Sequence, residues 1–371
     1  MTCLSEQIKN EWDNIAKPID GMGEFETILT RIGEMQGRTD FSIEKKAVLV
    51  FCADNGIVKE GVTQSPSEVT LRVMKNMLCG KSSVAVMAKK TGADLHVVDV
   101  GVDCEKDEVL AVKNAETLFA DETADDTLRK KDFCATFFHN CKIRRGSRDF
   151  IEEPAMTEEE CNRAMQCGTD LVGTLAKEGI QIVALGEMGI GNTTSSSAVS
   201  AAITGVSPEI LTGRGAGLSD EGLIKKREVI SKALAEYELI GKDAKTILQH
   251  VGGYDIAALA GAVIGGMKYH VPIVLDGVIT MTAALAASEI EPECLTCCIL
   301  SHKGKEPAVT VLEDELIKRG INGSSVIHAS MALGEGTGAV MMLSLLDLAM
   351  EVYHNAARFE DLSMEQYERF N

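Results

Sequence analysis

Two short stretches set a carboxylate among glycines: Leu185-Gly-Glu187-Met-Gly-Ile-Gly-Asn192 and Leu333-Gly-Glu335-Gly-Thr-Gly338. Each falls where an apolar run gives way to a helical pattern. Backbone amides can therefore approach a ligand closely while the glutamate points into it. Either stretch alone reads equally well as a glycine-capped helix start with a glutamate favoured by the helix dipole. Two in one chain point to a site built on paired carboxylates. A third stretch, Gly213-Arg-Gly-Ala-Gly217, has no strand directly before it and so is poorly suited to a dinucleotide fold. It suits a mononucleotide phosphate held by amides and one of the two lysines that follow, Lys225 and Lys226, the other lying on a solvated helix face.

Other chemistries are disfavoured by the same inspection. Gly80-Lys81-Ser82 lacks the glycine that a P-loop needs five residues earlier, where Lys75 stands. HExxH, GxSxG and cysteine–histidine nucleophile patterns are missing from the sequence. Cys294-Leu-Thr-Cys297-Cys298 resembles half of a zinc site, but no second pair falls at zinc spacing, and buried strand cysteines are the simpler reading. The expected chemistry uses carboxylates beside a phosphate site, and no cofactor is expected.

The elements that must position these groups are those of an α/β protein. Ala47–Ala53 is a continuous apolar run ending at Asp54-Asn55-Gly56, as expected of a strand buried on both faces. Similar runs recur at Leu95–Val100, Ile182–Leu185, Pro272–Leu275 and Leu295–Leu300, with room between them for crossover helices. A doubly wound parallel sheet follows, with ligands beyond the carboxyl ends of the strands, where Asp54, Asp99, Glu187, Asp276, Ser301 and His302 stand. Thr157 reads as the N-cap of a helix running to about Ala176. Residues 104–142 read as a charged surface excursion. Residues 1–42 are helical and amphipathic, with Trp12, Ile15, Ile28, Leu29 and Ile32 as apolar positions; with 340–371 they form an expected small helical domain beside a large α/β domain of 43–339.

Composition agrees. The 371 residues are 45% hydrophobic and only 4% aromatic, with 34 glycines, as suits a sheet of aliphatic strands and glycine turns. The formal net charge of -19 argues against nucleic acid as a partner. No apolar run approaches membrane-spanning length. The opening residues lack signal-peptide order, and the 11 cysteines read as reduced thiols of a cytoplasmic protein.

Taken together, Ala53-Asp-Asn-Gly-Ile-Val-Lys-Glu-Gly-Val62, Val98-Asp-Val-Gly101, Arg145-Gly146, Gly186-Glu-Met-Gly-Ile-Gly-Asn-Thr-Thr194, Ser301-His302 and Leu333-Gly-Glu-Gly-Thr-Gly-Ala339 resemble the nicotinate-nucleotide:dimethylbenzimidazole phosphoribosyltransferases over nearly the whole chain. The resemblance implies transfer of 5-phosphoribosyl from nicotinate mononucleotide to a lower-ligand base, without a metal, by a dimer. It implies Glu335 as general base, Glu187 as a second active-site carboxylate, and Lys226, Gly189, Gly191, Asn192, Thr193, Gly215, Ser301 and Gly336 around the nucleotide. Ser65, Asn55, Val73 and Leu333 fall at the base pocket. Asn55 stands where family members commonly carry His, Ala332 where they carry Arg, and Val73 where some carry Gln. These departures leave the reaction type intact and bear on the acceptor: 5,6-dimethylbenzimidazole or a close relative, with phenol or p-cresol as the alternative. Paired paralogues within the family supply a further alternative, a non-catalytic subunit of a hetero-oligomer. The expected partners are therefore the two small substrates and either a second copy of the chain or a paralogue.

Overall fold

A computed structural model describes residues 3–105, 109, 134–215 and 217–369. Most of the acidic part of the 104–142 stretch lies outside the described residues. The chain opens with two amphipathic helices, α1 (Leu4–Asn14) and α2 (Glu24–Gln36), which bury Ile8, Trp12, Ile28, Leu29 and Ile32. Gly37, left-handed at φ 69°, ends the second.

The sheet strands are β1 (Lys46–Ala53), β2 (Ala93–Gly101), β3 (Thr136–Asn140), β4 (Ile182–Met188), β5 (Ile273–Leu275) and β6 (Cys298–Leu300), in the order β3-β2-β1-β4-β5-β6. Every pairing is parallel. All eight residues of β1 are buried, because helices cover both faces. Ala47, Leu49 and Phe51 face one apolar core and Val48, Val50 and Cys52 the other. The second core is shared with α3 (Glu68–Leu78), α4 (Ser83–Thr91), the two N-terminal helices and the long C-terminal helix. The first is shared with α5 (Glu158–Lys177), α6 (Asn192–Thr204), α7 (Pro208–Leu211), α8 (Asp220–Glu236), α9 (Ala244–Val251), α10 (Tyr254–Lys268), α11 (Val278–Ile290) and α12 (Ala308–Lys318). The C-terminal helix, α13, spans Thr337–Asn355. Among the described residues no helix is long and apolar enough to cross a membrane.

The doubly wound architecture matches the expectation, and the strand order reverses between β1 and β4. Thr157 caps α5 as its sequence implies: its hydroxyl accepts from the Glu160 amide at 3.1 Å while the Glu160 carboxylate accepts from the Thr157 amide at 2.8 Å.

Two elements differ from their sequence reading. Within the supposed surface excursion, Thr136–Asn140 is the edge strand beside β2. It is only partly buried and lacks the long aliphatic run that marks the inner strands. The run Leu295–Leu300 is a strand only from Cys298 onward, since Pro292–Cys297 closes a 3-10 helix after Pro292 fixes its first turn. Cys294 and Cys297 are therefore buried turn cysteines and only Cys298 a strand one, and among the described residues no group of three or more His, Cys, Asp or Glu side chains is placed to hold a metal ion.

Candidate active site

Beyond the ends of β4, β5 and β6 lies a cavity of about 340 Å³ lined by residues of both glutamate stretches. Strand β4 runs three residues further than its apolar run suggests, so Glu187 stands on the strand end itself. The chain then turns through Gly189 and Gly191 into α6, whose N-cap Gly191 has φ 97°. Thr193 in its first turn also lines the cavity.

The second stretch forms a turn in which Gly334, Glu335 and Gly336 have φ of 82°, 60° and 89° in succession. Three left-handed residues explain the Gly-Glu-Gly order, and the glutamate alone has a Cβ to strain there, at a cost of about 1–3 kcal/mol. A Cβ at Gly186 would come 2.5 Å from the Glu335 carbonyl oxygen, so glycine in β4 lets the two stretches touch. The same approach brings the Glu187 carboxylate to 2.9 Å from where a Gly334 Cβ would sit. Residues about 150 apart in sequence thus meet at one wall.

Four acids gather here. Glu187 accepts from the Asn192 side-chain amide, which also donates to Asp255 at 2.9 Å. Burial, with Asp255, Asp276 and Glu335 nearby, pushes the Glu187 carboxyl up to about 8. Asp255, buried at the start of α10, is raised by burial to about 6. Burial and Asp276 also raise Glu335, while the Val84 amide at the start of α4, 3.5 Å away, pulls the other way. Asp276, following β5, accepts from the amides of Gly336 (3.2 Å), Gly338 (2.7 Å) and Ala339 (3.2 Å). It thereby caps α13 and anchors the turn that presents Glu335.

A further group beside the cavity is suited to phosphate. Lys226 of α8 is buried, and its ammonium donates to the Thr193 hydroxyl at 2.8 Å beside Gly215. Burial lowers it to about 8, against the attraction of Glu306. Lys225 is exposed. The cavity lining also carries the apolar side chains of Val69, Val73, Met188, Val278, Ile279 and Leu333, together with Ser65.

Of the residues assigned from sequence, Glu187, Glu335, Gly189, Gly191, Asn192, Thr193, Gly215, Ser65, Val73 and Leu333 line this cavity. Four stand behind it. Lys226 reaches it only through the lining residue Thr193. Asn55 is buried beneath the Gly189–Gly191 turn and accepts from the Ser195 hydroxyl at 3.3 Å. Ser301 is fully buried beneath His302, and Gly336 is buried at the start of α13, its amide engaged with Asp276. Asp276 and His302, which the sequence places at the carboxyl ends of the strands, line the cavity, whereas Asp255 carries no local signal because its partner Asn192 lies far away in the chain. His302 had one available signal, its place immediately after β6.

A family model described as Phosphoribosyltransferase matches residues 2–363. A nicotinate-nucleotide--dimethylbenzimidazole phosphoribosyltransferase of Acetivibrio thermocellus is 36% identical over 363 residues, covering 98% of this chain and 94% of its own. One of the same name from Geobacter sulfurreducens is 34% identical, again over 98% of this chain and 94% of its own. The crystal structure of CobT from Thermus thermophilus superimposes with a TM-score of 0.83 at 31% identity, over 98% of this chain and 99% of that one.

Proposed function

The chain belongs to this phosphoribosyltransferase family, and from that premise we propose that it transfers 5-phosphoribosyl from nicotinate mononucleotide to 5,6-dimethylbenzimidazole or a close benzimidazole, with Glu335 as general base. The observation that carries the assignment of roles is the meeting of Glu187 and Glu335 on one wall of a cavity that also carries apolar side chains and, through Thr193, adjoins the buried Lys226.

The donor's phosphate sits at Thr193, Gly215 and Lys226, and the acceptor ring lies against Val69, Val73 and Leu333. The ribosyl C1′ then falls beside the glutamates. The glycosidic C1′–N bond breaks with its electron pair going to the pyridinium nitrogen, so nicotinate leaves without needing a proton. A ring nitrogen of the acceptor forms the new bond to C1′, and the acceptor's N–H proton passes to Glu335. The products are nicotinate and an α-riboside 5′-phosphate. Glu187, held by Asn192, faces the positive charge spread over C1′ and the donor ring. That charge favours its ionised form, offsetting the burial that otherwise keeps it protonated.

Residues 1–42 with 340–371 serve in this reading as the smaller helical unit. The enzyme works in the cytoplasm as a dimer, with itself or with a paralogue. The deciding assay supplies the isolated chain with nicotinate mononucleotide and equal concentrations of 5,6-dimethylbenzimidazole and p-cresol, and measures riboside phosphates. Benzimidazole riboside phosphate is expected. Exclusive phenolic product refutes the acceptor, and no product with either refutes catalysis by the isolated chain.

A further inference from the structure

His302 lines the cavity yet has no part in the chemistry above. Its ring is held from behind. The Ser301 hydroxyl donates its single proton to the Asp276 carbonyl at 3.0 Å, so its oxygen can only accept from His302 Nδ1, also 3.0 Å away. The Asp276 carboxylate, 3.8 Å from Nδ1, favours a proton on that side of the ring. A ring with one proton therefore carries it on Nδ1 and presents a bare lone pair at Nε2.

Nε2 points away from both of these partners. It passes between Gly277 and Gly304, where Cβ atoms would lie 3.6 and 3.5 Å from it, and both glycines line the cavity. Without side chains on these two residues the nitrogen stays open to a ligand. The backbone on either side of His302 is pinned by a bridge to Ile327: the Ile327 amide donates to Ser301 at 3.0 Å and the Lys303 amide donates to Ile327 at 2.9 Å.

The position is also defined by its neighbours. On one side His302 abuts Gly338 and Asp276, which anchor the Glu335 turn. On the other the chain continues through Gly304 to Glu306, beside Lys226. In a nucleoside monophosphate the part that joins base to phosphate is the sugar, and its hydroxyls are donors. We propose that His302 Nε2 accepts a hydrogen bond from a ribose hydroxyl of the bound mononucleotide, with Ser301 and Asp276 setting the tautomer that allows it. The proposal rests on the phosphoribosyl-transfer reading above.

The test is a cycle between enzyme and substrate. Transfer to dimethylbenzimidazole is measured for the wild-type chain and His302→Ala with nicotinate mononucleotide and its 2′-deoxy and 3′-deoxy forms. In the wild type, loss of the engaged hydroxyl lowers kcat/KM about tenfold, the effect of one hydrogen bond with its acceptor left buried. In His302→Ala the same loss costs less than about threefold, because the acceptor is already gone. Equal factors in both enzymes for both deoxy donors overturn the proposal, since a merely structural His302 is indifferent to the hydroxyl. If the alanine variant does not fold, His302→Leu keeps the bulk of the ring and gives the same comparison. A wild-type chain that releases no nicotinate from the parent nucleotide defeats the functional reading itself, and this inference with it. Turnover with multiplicative losses defeats the histidine contact alone.

Discussion

Replacing Glu187 by glutamine should stabilise the protein while impairing it. Its carboxyl shifts from an ordinary 4.5 to about 8 on folding, chiefly through burial. A raised folded value means that the penalty is absent below pH 4.5, where both states are protonated. It grows as the unfolded carboxylate ionises, and levels off once the folded one ionises near pH 8. At pH 7 the difference is about 2.5 pH units at about 1.4 kcal/mol each, or roughly 3.5 kcal/mol. Partial solvent contact and coupling among the four acids reduce that figure, so about 2–3 kcal/mol is expected. Glutamine keeps an oxygen for the Asn192 amide and adds no volume. Unfolding entropy of about 2.1 cal/mol/K per residue over 371 residues gives about 0.8 kcal/mol/K, so Tm should rise by about 2–4 °C at pH 7. Thermal unfolding at pH 7 and pH 4, together with kcat/KM at neutral pH, provides the assay. A variant no more stable than wild type at pH 7 refutes the reasoning, as does a gain that survives undiminished at pH 4. Higher stability with undiminished turnover would remove Glu187 from the reaction.

Glu335→Gln should keep fold and substrate binding but lower kcat by about 10²–10⁴-fold, and a near-wild-type kcat at neutral pH would exclude it as the base. Lys226→Met should raise KM for the mononucleotide about 10–100-fold with a smaller change in kcat. Because burial lowers this lysine to about 8, wild-type KM should itself climb as pH passes 8, and a climb persisting in the variant would assign it to another group. Gly338→Ala would set a Cβ 2.0 Å from His302 Nδ1 and 2.9 Å from Asp276, so it should destabilise by about 1–3 kcal/mol and abolish most activity; wild-type Tm and turnover would contradict the packed arrangement. Thr157→Ala removes the capping box of α5 away from the cavity, and should cost about 0.5–2 kcal/mol in denaturant titration without changing kcat/KM.

The sheet was legible in the sequence because its inner strands are buried on both faces, and continuous aliphatic runs such as Ala47–Ala53 have few other uses. The glutamate stretches were legible because a left-handed turn and a close backbone approach both demand glycine, as the φ values at Gly334 and Gly336 and the contact at Gly186 show. Capping at Thr157 could be read because both its partners lie within one turn. Edge strand β3 escaped since partial burial requires no such run. Spacing alone left Lys225 and Lys226 open and the resemblance implied Lys226; the packing of α8 supplies the physical reason, since adjacent residues on a helix face different directions and Lys226 is the one turned inward. Asp276 caps a helix that begins 61 positions later in the chain, and Ser301 turns out to support His302 from behind the cavity wall. Local pattern records only what neighbours along the chain require of one another. A buried carboxylate's role is set by whichever amides the folded sheet brings to it, and those amides belong to distant residues.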